Sequence, residues 1–195
     1  MKNIILILLI IISCKSFPQS TCTQYTVVPL RTFTEIPENE CYYRKDTQNE
    51  LNDYEGTWKG TWNNKTLYIT FKKVVNFYDD SLGFNLDNLV GKFKTSDSNG
   101  NILFNNILLT DGQAKIFGIG FHKITDQYHL SYTDNDLCGI GGSVKISFAN
   151  AAKTQLNIDF DQRKSIIDTD CYYYSYPPSQ YPEPLPKTNI VLIKQ

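Results

Sequence analysis

The residues most able to carry chemistry in this chain of 195 are few. His122 and His129 are its only imidazoles. A hairpin turning near Thr125-Asp126 makes them cross-strand partners on an outward face shared with Gly118, Gly120 and Ser131. Two imidazoles so placed hold a metal only with a third ligand, and none is evident, so a solvated polar pair is expected. Thr95-Ser-Asp-Ser-Asn-Gly100 has the look of a calcium loop. Setting Gly100 at the invariant glycine of an EF-hand leaves Asn106 where a bidentate glutamate is required, and the match fails. Asp134-Asn135-Asp136 and Asp79-Asp80 would hold calcium only weakly. Gly139-Ile-Gly-Gly-Ser143 is not a nucleophile elbow, because Lys145 stands where the second glycine must be. Gly118-Ile-Gly120 lacks the further glycine and the lysine of a phosphate loop. No catalytic set, metal site or cofactor is therefore expected.

Aromatic residues offer a different chemistry. Tyr172, Tyr173, Tyr174, Tyr176 and Tyr181 lie in a Tyr/Pro-rich run that reaches Pro186. Prolines exclude this run from a central strand and favour extended polyproline geometry. Its tyrosines could stack on sugar rings or on a partner's prolines, and the competing expectation is a rigid strap over the domain, tied down at Cys171. Both tryptophans fall in "DYEGTWKGTW". Trp58, mid-strand, is expected to be buried. Trp62, beside a turn, is expected at a barrel end and is the one of the two with a possible binding role. Asp80-Ser81-Leu82 matches a short O-glycosylation pattern, with a plain turn as the default.

The cysteines and the N-terminus speak to location. Ile4–Ile12 is an unbroken aliphatic run after Met1-Lys2-Asn3, too short to span a bilayer and of signal-peptide length. It ends at Ile11-Ile12-Ser13-Cys14, which resembles a bacterial lipobox. Cys14 would take a diacylglyceryl group, and cleavage would remove residues 1–13. The alternative is ordinary signal-peptidase cleavage near Ser16–Ser20 and secretion. With Cys14 lipidated, four of the five cysteines remain. Cys22, Cys41, Cys138 and Cys171 then read as two disulfides. Three connectivities are open; pairing within one region of the chain favours Cys22–Cys41 and Cys138–Cys171. A net charge of −1 leaves no electrostatic footprint for nucleic acid.

The elements that must position these residues are strands. Residues 14–52 are polar, with Pro29 and Pro37, and read as a lipid tether and N-terminal extension that becomes structured near Cys41. Residues 53–195 read as a single domain with the strap at 171–187. Short alternating runs separated by Asn, Asp, Gly and Ser give an antiparallel β meander of about nine strands, closing into a lipocalin-like or strongly rolled barrel of 8–10 strands. In the first hairpin, an Asn63-Asn64 turn pairs Trp62 with Lys65, Gly60 with Leu67, Trp58 with Ile69 and Gly56 with Phe71. One face then carries both tryptophans, Leu67, Ile69 and Phe71. A second hairpin, turning at Asn99-Gly100, sets Leu89, Gly91, Phe93, Ile102, Phe104 and Leu108 inward, with Leu103 as an exception. The third sets Phe117, Ile119, Phe121, Leu130 and Tyr132 on the core face. Strands at 144–148, 156–160 and 189–194 complete the set.

The Gly-x-Trp of the first strand, followed by a meander, resembles lipocalin and avidin-type barrels. The segments "YEGTWKGTWNNKT", "SDSNGNILF", "QAKIFGIGFHK", "DLC" and "PEPLPKTNIVLIKQ" resemble an uncharacterised family of small Bacteroidota (flavobacterial) lipoproteins, a domain of unknown function. That resemblance implies an outer-membrane lipoprotein and no particular activity. Lys15–Ser20 has no acidic residue, unlike export signals of surface lipoproteins in that group, which favours the periplasmic side. The expectation is thus a non-catalytic binding or structural module, with a glycan or an envelope protein as its partner besides the membrane held through Cys14. The alternatives are a hydrolase-type enzyme using loop carboxylates and tyrosines, or an accessory subunit of another envelope protein. Oligomeric state is not legible.

Overall fold

The computed structural model describes residues 22–38, 40–163 and 168–195. Eleven strands form one sheet: β1 (Thr26–Pro29), β2 (Tyr42–Lys45), β3 (Gly56–Trp62), β4 (Lys65–Asp79), β5 (Phe84–Ser96), β6 (Ile102–Asn105), β7 (Ile116–Phe121), β8 (Tyr128–Asp134), β9 (Ile140–Phe148), β10 (Gln155–Gln162) and β11 (Ile190–Lys194). Eight of them run in the order β5-β4-β3-β11-β10-β9-β8-β7, and β7 closes on β5 through Val90–Phe117 and Gly91–Ile116. The result is an all-β, antiparallel, closed barrel. The three remaining strands attach outside that path. β6 pairs with the last residues of β5, while β2 pairs in parallel with its first residues, and β1 in parallel with β2.

The first hairpin has the register that its apolar alternation requires. Trp62 faces Lys65, Trp58 faces Ile69 and Gly56 faces Phe71. Asn63 and Asn64 both take positive φ, 44° and 60°, as a two-residue turn matching the strand twist demands. Burial of Trp58, Leu67, Ile69 and Phe71 shows what the register is for: a slip by one residue would turn every one of them to water.

The second and third hairpins depart from expectation for local reasons. Asp97 organises the second turn, accepting the main-chain N–H groups of Asn99 and Asn101 at 2.9 Å each, and Asp97 N–H is bonded to Asn101 O. This five-residue loop replaces the tighter Asn99-Gly100 turn; Lys94–Asn105 and Thr95–Phe104 keep the register of that turn, and only next to the loop does it slip, so that Ser96 faces Ile102. Ile102 is exposed, Leu108 is 92% exposed, and Phe104 alone of the three packs against the core. In β7 a bulge makes Gly118 face Leu130 and Gly120 face His129, leaving Ile119 as the extra residue. Ile116, rather than Phe117 or Ile119, therefore fills the interior; Phe117 is half-buried and Ile119 exposed. Two glycines allow this. A Cβ on Gly118 would collide with Asn88 Oδ1 and the Tyr128 hydroxyl, and Gly120 sits at φ +138°.

Inside, the barrel is packed solid with side chains from all eight strands, among them Trp58, Phe71, Phe93, Tyr132, Phe160 and Leu192. Both ends are closed. At the end where β3 begins, a short 3-10 turn (Glu50–Asp53) drives Leu51 into the core, and Tyr54 stacks on Phe148 at 4.4 Å. Leu30 joins the same cluster, and Arg31 lies over the Phe121 ring at 3.8 Å while pairing with Glu50 and Asp126. The segment expected to be tether and extension thus supplies strands and a plug from Thr26 onwards. Strand structure begins ahead of Cys41, and Leu30, Leu51 and Tyr54 fill this end of the barrel. At the opposite end the Pro184-Leu185-Pro186 stretch is buried, anchored by the Thr95 hydroxyl donating to Pro184 O at 3.0 Å and by Lys65 facing Glu183 at 3.5 Å.

Candidate functional site

A barrel that binds a ligand inside needs an empty, partly polar interior. Among the described residues the interior is filled and both ends are covered, so recognition is to be sought on the outer surface. Trp62 is only 7% exposed and the Lys65 ammonium lies over its ring, 5.5 Å from the centre, so the ring is covered by the protein itself.

The Tyr/Pro-rich run divides into two parts with different jobs. Residues 184–186 are the strap. Tyr172–Tyr181 forms an excursion from the barrel in which the tyrosines pack on one another. Tyr172 and Tyr176 lie 5.3 Å apart with the Tyr176 hydroxyl donating to that of Tyr172 at 2.9 Å; Tyr173 meets both edge-on and tilts towards Tyr181 at 6.5 Å. The self-packing holds Tyr172, Tyr173, Tyr176 and Tyr181 together and leaves Tyr172 71% exposed, while Tyr174, 56% exposed, stands outside it. Cys138–Cys171 pins the start of this excursion to the β8–β9 connection, and Cys22–Cys41 joins the segment ahead of β1 to the start of β2. Cys14 lies outside the described residues.

Breaking the second bridge tests the pinning. The Cys138→Ser, Cys171→Ser double variant should lose roughly 3–4 kcal/mol in urea denaturation, as loop-entropy reasoning gives for a closed loop of this length. Protease should then cut first between Cys171 and Tyr181.

The loop carboxylates are occupied by their own loops. Asp79 accepts from Ser81 N–H and the Ser81 hydroxyl and from Leu82 N–H, so Asp80-Ser81-Leu82 sits in a capped turn. Asp97 is held by hydrogen bonds from Asn101 and neighbouring N–H groups, which keep its carboxyl below the ordinary range. Asp134 receives Lys115 at 2.5 Å, the Tyr132 hydroxyl at 3.0 Å and Asp136 N–H. Burial works against the Lys115 charge, but its bonds to Asp134 and Asp136 keep the ammonium above its usual range. A groove of about 590 Å³ beside Lys115, over β7 and β8, is therefore close to charge-balanced. Among the described residues no three His, Cys, Asp or Glu side chains gather as a metal site. His122 and His129 do meet, ring centres 5.1 Å apart and 8° from parallel. The bulge makes Gly120, not His122, the register partner of His129.

Sequence reasoning missed one buried polar group of consequence. Asp46, fully buried, accepts Glu50 N–H, Leu51 N–H and the Lys73 ammonium at 2.8, 3.0 and 2.8 Å. Asp87 accepts Asp46 N–H, Asn76 N–H and the Tyr43 hydroxyl. Burial, together with the hydrogen bond to Asp87, pushes the Tyr43 phenol above its ordinary range. Each carboxylate oxygen has a donor, so the pair is an architectural knot joining β2, β4 and β5 to the plug. The "FNLDNLVG" of β5 was its only trace in sequence, a strand with polar residues and no exposed face.

The comparison that bears on identity covers the full length. Residues 1–195 match DUF6705, a family of unknown function. The chain belongs to that family. No match to a curated protein or to a solved structure accompanies it. DUF6705 membership thus agrees with the resemblance to a domain of unknown function and brings no activity with it. What a DUF6705 chain offers for recognition has to be argued from surfaces such as the pinned tyrosine excursion.

Proposed function

We propose that this protein is a non-catalytic recognition module of the bacterial cell envelope. It is held to the outer membrane by lipid on Cys14, faces the periplasm, and presents Tyr172–Tyr181 to a glycan or to an envelope protein. The observation that carries this reading is the pairing of a solid barrel with exposed tyrosines on a disulfide-pinned loop. A filled core with both ends plugged serves as a rigid mount. Tyr172, held by Tyr173 and Tyr176, loses little freedom on binding, which favours stacking on a flat partner such as a sugar face, with the exposed Tyr174 beside it in the chain.

Two measurements test it. Labelled palmitate should enter the wild type and not Cys14→Ala, and the variant should leave the membrane fraction; absence of label in the wild type removes the anchor. Isolated envelope polysaccharide and detergent-solubilised envelope proteins should each be offered to the folded domain. Tyr172→Ala with Tyr174→Ala should reduce capture by at least about tenfold without moving the denaturation midpoint, since stacked aromatic anchors dominate such contacts. Equal capture by both forms removes the tyrosines from recognition.

A further inference from the structure

The barrel's seam contains a second site. β7 follows β5 only at Val90 and Gly91; beyond the Gly118–Gly120 bulge it diverges, and β2 takes its place along β5. Arg44 of β2 spans the gap and donates from Nη2 to the carbonyl of Ile119, the bulged residue, at 3.0 Å. The space left over is a cleft of about 250 Å³. Phe33, Ile119 and Phe121 wall it, while Arg44, His122 and His129 supply its polar lining.

Charge and hydrogen bonding are unbalanced here in one direction. Arg31, at the same end of the barrel, is paired with Glu50 and Asp126. Arg44 has no carboxylate partner among the described residues. Its Nε is buried with no hydrogen-bond partner, and so is Nε2 of His129. Buried polar groups are nearly always satisfied, and each one left over calls for an explanation, a bound water or ion among them. A cation is disfavoured by the guanidinium. A drug-sized or nucleotide ligand is disfavoured by volume, since such sites begin at roughly 300 Å³.

We propose that this cleft binds a small organic anion, its charged head on Arg44 and His129 and its apolar body against Phe33, Phe121 and Ile119. Guanidinium and imidazole N–H groups suit a carboxylate head, and charge-assisted hydrogen bonds are roughly twice as strong as neutral ones. Burial, then the neighbouring His122 and Lys145, hold the His129 proton affinity below its ordinary value. The other groups around the pair are Tyr128 and Asp79 near Arg44, Asp159 on Lys145 at 3.9 Å, and the Arg31–Asp126 pair at the same end. A bound anion opposes that depression, so binding should tighten as pH falls through the histidine range.

Benzoate, sulfate and uncharged benzyl alcohol serve as probes, followed by NMR of the two imidazoles in the folded protein. Benzoate is expected to shift His122 and His129 saturably, more tightly at pH 6 than at pH 8, with benzyl alcohol at least about tenfold weaker. Arg44→Gln should weaken benzoate by a similar factor. Phe33→Ala, at a half-exposed position whose loss leaves the core intact, should weaken benzoate and leave sulfate unchanged. His129→Gln should flatten the pH dependence. Sulfate binding as tightly as benzoate would overturn the organic-anion assignment, and so would benzoate shifts that never saturate or that persist in both Arg44→Gln and Phe33→Ala.

Discussion

Trp58→Ala should cost about 3–5 kcal/mol of stability, the usual loss when a buried tryptophan is truncated and its cavity cannot collapse. Trp58 has no exposed surface, its indole N–H donates to Tyr54 O at 2.9 Å, and its ring lies 6.3 Å from Phe148. The substitution therefore removes packing at the barrel centre and unties the residue that plugs one end. Trp62→Ala should cost clearly less. The Trp62 ring is also buried, but its N–H makes no bond, and it lies at the end of β3, where the strap and Lys65 can settle towards it. Urea denaturation of the two variants decides the matter; equal midpoints would show that the two ends of β3 are not distinguished by packing.

Asp46→Ala is expected to be nearly as damaging, by about 3–5 kcal/mol, because it strands a buried ammonium and two main-chain N–H groups at once. Glu50 and Leu51 donate those N–H groups, so the loss falls on the turn that seats Leu51. Lys73→Met should be milder: Asp46 keeps its two main-chain donors, and the lysine stem is replaced by apolar volume. A loss for Asp46→Ala no larger than that for Lys73→Met would mean that the carboxylate matters only as the partner of the lysine.

What could be read from sequence was whatever obeyed a strict period. The Trp58 hairpin has alternation on both strands and an Asn-Asn turn, and its register follows from those alone. The meander was legible for the same reason, the closed barrel from the number of strands, and the two disulfide pairings from the shorter separation of each pair in the chain. Failures cluster where one residue breaks the period. Ile119 is apolar at an alternating position, and only the backbone freedom of Gly118 and Gly120 reveals that it is extra. Asp97 lengthened a turn that Asn99-Gly100 made look tight and displaced Ile102, while Leu108 lies beyond the end of β6. The Arg44 cleft was invisible because it joins β2 to β7, and no local pattern shows that a polar N-terminal segment will occupy the edge of β5. The histidines were seen as a pair, but their third neighbour was sought among metal ligands rather than among cations.

The position of β11 has a bearing on how the chain reaches this fold. β11 lies between β3 and β10, and Gln195 N–H bonds to Thr57 O. It is the last of the eight barrel strands to be synthesised, yet it must pair with the first. Until it arrives, β3 and β10 are both bare edges, open to pairing with another copy of the chain. Closure therefore waits on the contact of longest sequence separation, the kind that makes β topologies slow. A barrel unable to close before its last strand emerges has a delay built into its topology. The same delay makes the interval before β11 docks the one in which the chain is most exposed to aggregation.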